Sequence, residues 1–211
     1  MTSKGFLLVL MQPPPAFEEE FNEWYDTEHV PERLAVPGFE SGLRYLCLSG
    51  TPRYLAMYDL ARPQVLETPE YLRVSFDRSS PWTKRVLRKV RVYRSAGRQV
   101  YPGDALTGRA ARVLLLRFRA LPADAEAAVV KAVRAGFEGR PETRQVRVFA
   151  NDTGDGVDFL GFVEARAPLG ERRPRSLGRP RRCARSGQHL RPILRRPAAG
   201  DCRHFGRSAL T

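Results

Sequence analysis

Apolar and polar positions recur along this chain in an order that repeats. Residues 5 to 11, GFLLVLM, are continuously apolar, the pattern of a strand covered on both faces. Pro13, Pro14 and Pro15 end that strand, because none can donate a backbone hydrogen bond. From about Ala16 to His29, Phe17, Phe21, Trp24 and Tyr25 recur at helical spacing, and Pro31 is expected to stop the helix. Two strands, LRYLCLS (43 to 49) and RYLAMYDL (53 to 60), flank a short Gly50-Thr51-Pro52 turn. A second helical region covers about 68 to 90, with a break at Ser79-Ser80-Pro81. A strand from about Val90 to Tyr101 then ends at Pro102-Gly103.

That order, β-α-β-β-α-β, is the ferredoxin-like unit, and it begins again. ARVLLLRFRAL (111 to 121) reads as a strand and ADAEAAVVKAVRAGFEG (123 to 139) as a helix. RQVRVFAND (144 to 152) and VDFLGFVEA (157 to 165) read as strands about a Thr153-Gly154-Asp155-Gly156 turn. Equivalent elements lie about 102 to 107 positions apart, an internal duplication in pattern rather than identity. The expected class is α+β, with tandem ferredoxin-like units over 1–105 and 106–168, the second incomplete. From about 168 the second helix and fourth strand do not follow.

Residues 169–211 are expected to be irregular or disordered. Of the 41 residues from Glu171, 27 are Arg, Pro, Gly, Ala or Ser, with prolines scattered at 174, 180, 192 and 197. Charge divides the same way. The whole chain carries +13, yet residues 1 to 170 hold only +3 and the remainder +10. Two readings stand for the tail. One is a basic arm for an anionic partner; the other is a frameshift-like segment, since out-of-frame GC-rich codons give this mixture and the chain has 32 Arg against 4 Lys. The nearly balanced body argues against a nucleic-acid binder, and no apolar run reaches the roughly 20 residues of a membrane helix. A cytoplasmic location is expected. Three widely spaced cysteines (Cys47, Cys183, Cys202) form neither a disulfide framework nor a zinc signature, and Cys183, His189, Cys202 and His204 match no metal spacing.

The chemistry concentrates in EFNEWYDTEHVPERLAVPGF (20 to 39), which holds the only histidine before residue 171. At about 100° per residue, Phe17, Phe21, Trp24 and Glu28 share one stripe, Tyr25 and His29 flank it, and Asn22 and Asp26 face away. Glu28 is therefore expected to be the enclosed carboxylate, with its pKa raised toward general-base range. His29 titrates near neutrality, and Tyr25 can hydrogen-bond a substrate oxygen. The competing reading makes Trp24 and Tyr25 core residues, His29 a helix cap and Glu28 or Glu32 a partner for Arg33 or Arg44. Elsewhere, Asp155-Gly156 with Asp158 lacks EF-hand spacing, Ser79 and Ser80 lack a nucleophile elbow, and KRVLRKVRVYR (84 to 94) is a basic face able to hold an anion.

The segment FNEWYDTEHVPERLAVPGF, followed by RYL and RYLAMYDL, resembles the dimeric α/β-barrel superfamily and within it the EthD-like proteins. The matching positions are Trp24, Tyr25, Glu28, His29 and Pro31, and the resemblance covers about residues 3 to 103. It implies a sheet with helices on one face and a barrel closed on the other, between subunits of a homodimer or between tandem copies. The family it resembles includes cofactor-free monooxygenases, isomerases, cyclases and haem enzymes. Because His29 is in the first copy and the second has no histidine before the tail, no haem, other cofactor or metal is expected. A cofactor-free small-molecule protein of isomerase, cyclase or monooxygenase type is implied. His29, Glu28 and Tyr25 would be catalytic, and Trp24, Arg44 and Tyr45 would contact the ligand. The second copy has Ala, Val and Lys where the first has Trp, Tyr and His, so it is expected to be a structural partner. A non-catalytic ligand-binding or assembly protein is the alternative, and a nucleic-acid binder through the tail a weaker one.

Overall fold

A computed structural model describes residues 3–48, 50–169 and, as a paired backbone strand, 187–192. Eight strands close a barrel: β1 (Gly5–Gln12), β2 (Phe39–Cys47), β3 (Tyr54–Leu60), β4 (Arg91–Tyr101), β5 (Arg112–Leu121), β6 (Thr143–Asp152), β7 (Val157–Ala165) and β8 (Gly187–Pro192). Around the wall they run β1-β3-β2-β8-β5-β7-β6-β4, and every pairing between neighbours is antiparallel. The half β4-β1-β3-β2 has the order that β8-β5-β7-β6 repeats.

Alternation along each strand makes two layers. Phe6, Leu8 and Leu10 point into the lumen with Tyr45, Met57, Leu115, Phe149, Leu160 and Phe162. Leu7, Val9 and Met11 point outward beneath the first set of helices, which is why β1 is apolar without a break. The helices are α1 (Glu18–Trp24), α2 (Val30–Leu34), α3 (Pro69–Arg73) and α4 (Pro81–Lys89) over the first half, and α5 (Glu126–Phe137) over the second. Ser80 caps α4 by accepting the Thr83 N–H at 2.9 Å, with Pro81 in the first turn, so the sequence break at 79–81 is a helix start. The halves meet along β4 and β6. A Cβ on Gly97 would lie 2.1 Å from the Ala150 carbonyl oxygen, so only glycine admits that approach.

Two expectations change. Pro31 does not stop the helix: Val30–Leu34 continues it, because a π-turn over Tyr25–His29 reorganises the hydrogen bonding just before the proline. Gly187–Pro192, expected to carry no strand, is β8. It pairs with β2 at Tyr45–Cys47 and with β5 at Val113–Leu116, so the second half has its fourth strand and the barrel closes within one chain. Backbone pairing between two open edges needs no apolar alternation, which is why the pattern did not reveal it. The remaining expectations for residues 170–186 and 193–211, including Cys183 and Cys202, lie outside the described residues.

Candidate functional site: the Trp24–His29 turn

In the π-turn, the Val30 N–H bonds to the Tyr25 carbonyl, five residues back rather than four. The extra residue changes which side chains align. Trp24 is matched not with Glu28 but with His29, whose ring centre lies 4.3 Å away. Tyr25 packs edge-on against His29 at 5.2 Å and against Trp24 at 4.8 Å. Trp24, Tyr25 and His29 are all buried.

The same widening redirects the acids. Glu28 is half-buried and turned to the start of α4, where its Oε1 accepts from the hydroxyls of Ser80 and Thr83. Thr83 Oγ1 also accepts from the Trp24 indole N–H at 3.0 Å. Glu28 is thus a tie between the turn and α4, not the enclosed carboxylate expected from the projection. Asn22 and Asp26, expected to face away, instead receive the buried Arg44 guanidinium at 2.7 and 2.6 Å. That guanidinium sits 4.3 Å from the centre of the Tyr25 ring.

Around Tyr25, polar atoms remain without partners. The Tyr25 and Tyr58 hydroxyls are buried and close enough to shift each other's titration, yet neither has a partner in normal hydrogen-bond geometry among the described residues, and buried His29 Nδ1 has none either. Tyr58 lies on the helix-facing side of β3, in the same packed cluster as Tyr25. Arg33, buried, donates to the Val74 carbonyl at 2.7 Å and covers the Tyr71 ring. Burial is the main force on every titration here. It pushes the Tyr25 phenol up to about 12, with Arg44, Tyr58 and Arg33 pulling the other way. It lifts Tyr58 well above the usual phenol range, reinforced by Tyr25. It lowers His29 well below its ordinary value, helped by the Arg33 and Arg44 charges. At neutral pH the cluster therefore holds a neutral imidazole and two protonated phenols between two guanidinium groups. Such a group can take a proton at the imidazole and stabilise a developing oxyanion with two hydroxyl donors. Beside it, burial raises Glu32, and its Oε2 lacks a hydrogen-bond partner.

Tyr45 is elsewhere. It follows Arg44 on β2, so alternation sends it through the wall into the lumen. Burial and the Glu164 charge push its phenol up, and its hydroxyl is also unpartnered. The expected ligand contacts are thus split: Trp24 and Arg44 outside the wall, Tyr45 inside. One end of the lumen is crossed by fully buried Arg147, which donates to Asp59 at 2.8 Å, to Thr107 at 2.7 Å and to Glu164 at 3.1 Å. Residue types alone missed Tyr58 and Arg147, and gave Arg33 only as a surface partner for Glu28 or Glu32, whereas it is buried. The signal for Tyr58 was its place in RYLAMYDL, in step with Tyr54 and Ala56.

Other features resolve into structure. Asp158 accepts from Tyr93 and from the Ala120 N–H, and Thr153 closes the 153–156 turn on the Gly156 carbonyl. No group of three or more metal-ligating side chains occurs among the described residues. Surface depressions of about 730 Å³ beside α5 and 490 Å³ beside Trp82 include none of the residues of the Trp24–His29 turn. No helix among the described residues is long and apolar enough to cross a membrane.

No protein-family model matches the chain, and no curated protein matches it in sequence. Solved structures do match in shape. An anthrone oxidase-like protein superposes with a TM-score of 0.66 at 8% identity, covering 92% of each chain. A mutant chlorite dismutase from Candidatus Nitrospira defluvii gives 0.52 at 13% identity over 79% of each chain. A Lactobacillus acidophilus protein, provisionally described as a monooxygenase, gives 0.52 at 11% identity over 90% of this chain and 94% of its own. The chain shares an α/β-barrel fold with these structures. At these identities the likeness extends to fold alone.

Proposed function

We propose that this α/β barrel is a cytoplasmic small-molecule protein whose ligand engages the polar cluster between the Tyr25–His29 turn and β3. The reaction is cofactor-free and begins with proton transfer on an apolar carbonyl or aromatic metabolite. It is of isomerase or cyclase type, or of monooxygenase type with molecular oxygen as co-substrate and oxidant of the deprotonated substrate. Neutral His29 is the base, and the Tyr25 and Tyr58 hydroxyls receive the oxygen on which charge develops. Arg33 and Arg44 favour that charge without contacting it. Glu28 holds the turn in place. The observation that carries this reading is the convergence of three under-satisfied buried polar atoms, Tyr25 OH, Tyr58 OH and His29 Nδ1, in one packed cluster, since buried polar groups in folded proteins are generally satisfied. The anthrone oxidase-like neighbour, alike in fold, is compatible with an aromatic substrate. Within the fold, the WYDTEHVP turn supports an EthD-like first half, and the repeated strand order supports a duplicated ferredoxin-like unit. The place of β8 supports a native origin for at least residues 187–192. A homodimer, if formed, would use outer helices, because the wall is already closed.

The test is His29→Ala and Tyr25→Phe, assayed for ligand binding and turnover in folded protein. Loss in both supports the assignment, and unchanged behaviour in both removes it. A second reading rests on the Trp24–Thr83–Glu28–Ser80 chain of hydrogen bonds, which is what a purely structural seal would contain. In that case His29→Ala lowers stability and leaves ligand affinity alone.

A further inference from the structure

The other end of the lumen holds a second group of polar residues, separate from the Trp24–His29 turn. Arg117 on β5 points inward in register with Val113 and Leu115 and is 7% exposed. Its Nε and one terminal nitrogen are buried and have no hydrogen-bond partner, and none of the ion pairs among the described residues includes it. The Arg117 guanidinium lies 4.1 Å from the centre of the Tyr93 ring, and Arg119, at the exposed rim, lies 5.4 Å from the same ring. Tyr93 is fixed from behind, since its hydroxyl donates to Asp158 Oδ2 at 3.1 Å. Asp158 Oδ1 in turn accepts the Ala120 N–H at 2.8 Å. Ala120 is held at φ 49° within a β-bulge, a left-handed conformation unusual for a residue with a side chain. The bulge thus carries Arg119 at the rim while β5 keeps Arg117 inside it.

A buried guanidinium whose fork is unmatched by a carboxylate is costly, and stacking on one phenol ring offsets only part of that cost. Asp158, the one acid of this group among the described residues, is engaged by Tyr93 and the bulge. We infer that this end of the barrel is an anion site, in which Arg117 grips the oxyanion of a small metabolite, a carboxylate or a phosphate, and Arg119 steers it in. A planar fork matches either group bidentately, and Tyr93 keeps that plane in position. The site is independent of the His29 cluster, which lies on the opposite face of the wall.

The experiment is isothermal titration of the full chain with inorganic phosphate and, separately, with benzoate. The parent, Arg117→Met, Arg119→Ala and His29→Ala proteins are compared. The parent is expected to bind at least one of the two anions at one site, and the responding arm tells phosphate from carboxylate. Arg117→Met should weaken it by roughly 10- to 100-fold, the equivalent of one charge-assisted contact. Arg119→Ala should act less and mainly at low salt, while His29→Ala should leave binding intact. Parent protein that binds neither anion at millimolar concentration overturns the site. So does equal affinity in Arg117→Met, or an Arg117→Met protein that is merely more stable than a parent with no anion affinity.

Discussion

Trp24 and His29 stack with ring centres 4.3 Å apart because the turn between them is wound one residue wider than an α-helix. That relationship sets the chemistry of the region. It brings the imidazole into an apolar, cation-flanked space where it stays neutral, and it sends Glu28 away to α4. The expected pH behaviour follows. The folded pKa of His29 lies below its unfolded value of about 6.5, so on acidification the unfolded chain takes up the proton first. Its contribution to stability is full above about 6.5, falls by up to about 1.4 kcal/mol per pH unit below that, and levels off beneath the folded value. Urea unfolding at a series of pH values should show this slope in the parent and lose it in His29→Asn. In a Trp82→Phe background, Trp24 emission should stay constant through pH 6.5; a quench centred there would mean His29 titrates normally.

The two phenols give a prediction of unusual sign. A tyrosine hydroxyl with a partner in the fold costs about 1–3 kcal/mol to remove when its partner is left buried. Tyr25 and Tyr58 have only each other, so the Tyr25→Phe/Tyr58→Phe pair should change stability by less than about 0.5 kcal/mol, or raise it, and neither single variant should be milder than the pair. Denaturant midpoints with unchanged slope would measure it.

How far the sequence reaches is clear from particular residues. Alternation placed β7 at 157–165 and β5 and β6 within one residue of their ends, because strands buried on both faces leave little freedom of register. The Trp24–His29 segment was legible as a place, but not in its geometry. A projection at a fixed angle cannot foresee a five-residue turn, so it enclosed Glu28 and turned Asn22 and Asp26 outward. Arg44 and Tyr45 were grouped as neighbours in sequence, although strand alternation already put them on opposite sides of the wall. Arg147 was silent because its partners, Asp59 and Glu164, come from distant strands.

That network predicts a large effect far from the turn. Arg147→Met leaves two buried carboxylates uncompensated and should cost about 3–5 kcal/mol. Glu164→Gln should cost far less. Burial already holds the Glu164 pKa above the ordinary carboxylate value, so its charged form is not a net stabiliser as pH rises through that range. Equal losses in the two variants would contradict the central role given to Arg147.

Strand β8 yields a prediction about assembly. A chain ending at Leu169 would expose the edges of β2 and β5 that β8 pairs in the complete protein. Such a protein should lose thermal stability and self-associate in gel filtration with light scattering. An unchanged monomer with unchanged Tm would show that Gly187–Pro192 does not close the wall.

The central claim is that the unpartnered atoms around Tyr25 receive a ligand. It is tested most directly by thermal shift with a panel of enolisable aromatic ketones, on the parent, on His29→Ala and on the Tyr25→Phe/Tyr58→Phe pair. Binding should raise the Tm of the parent with at least one compound and leave both variants unmoved, and that compound should exchange its α-hydrogen for deuterium only with the parent. Equal shifts in all three proteins, or no shift in the parent across the panel, would contradict it.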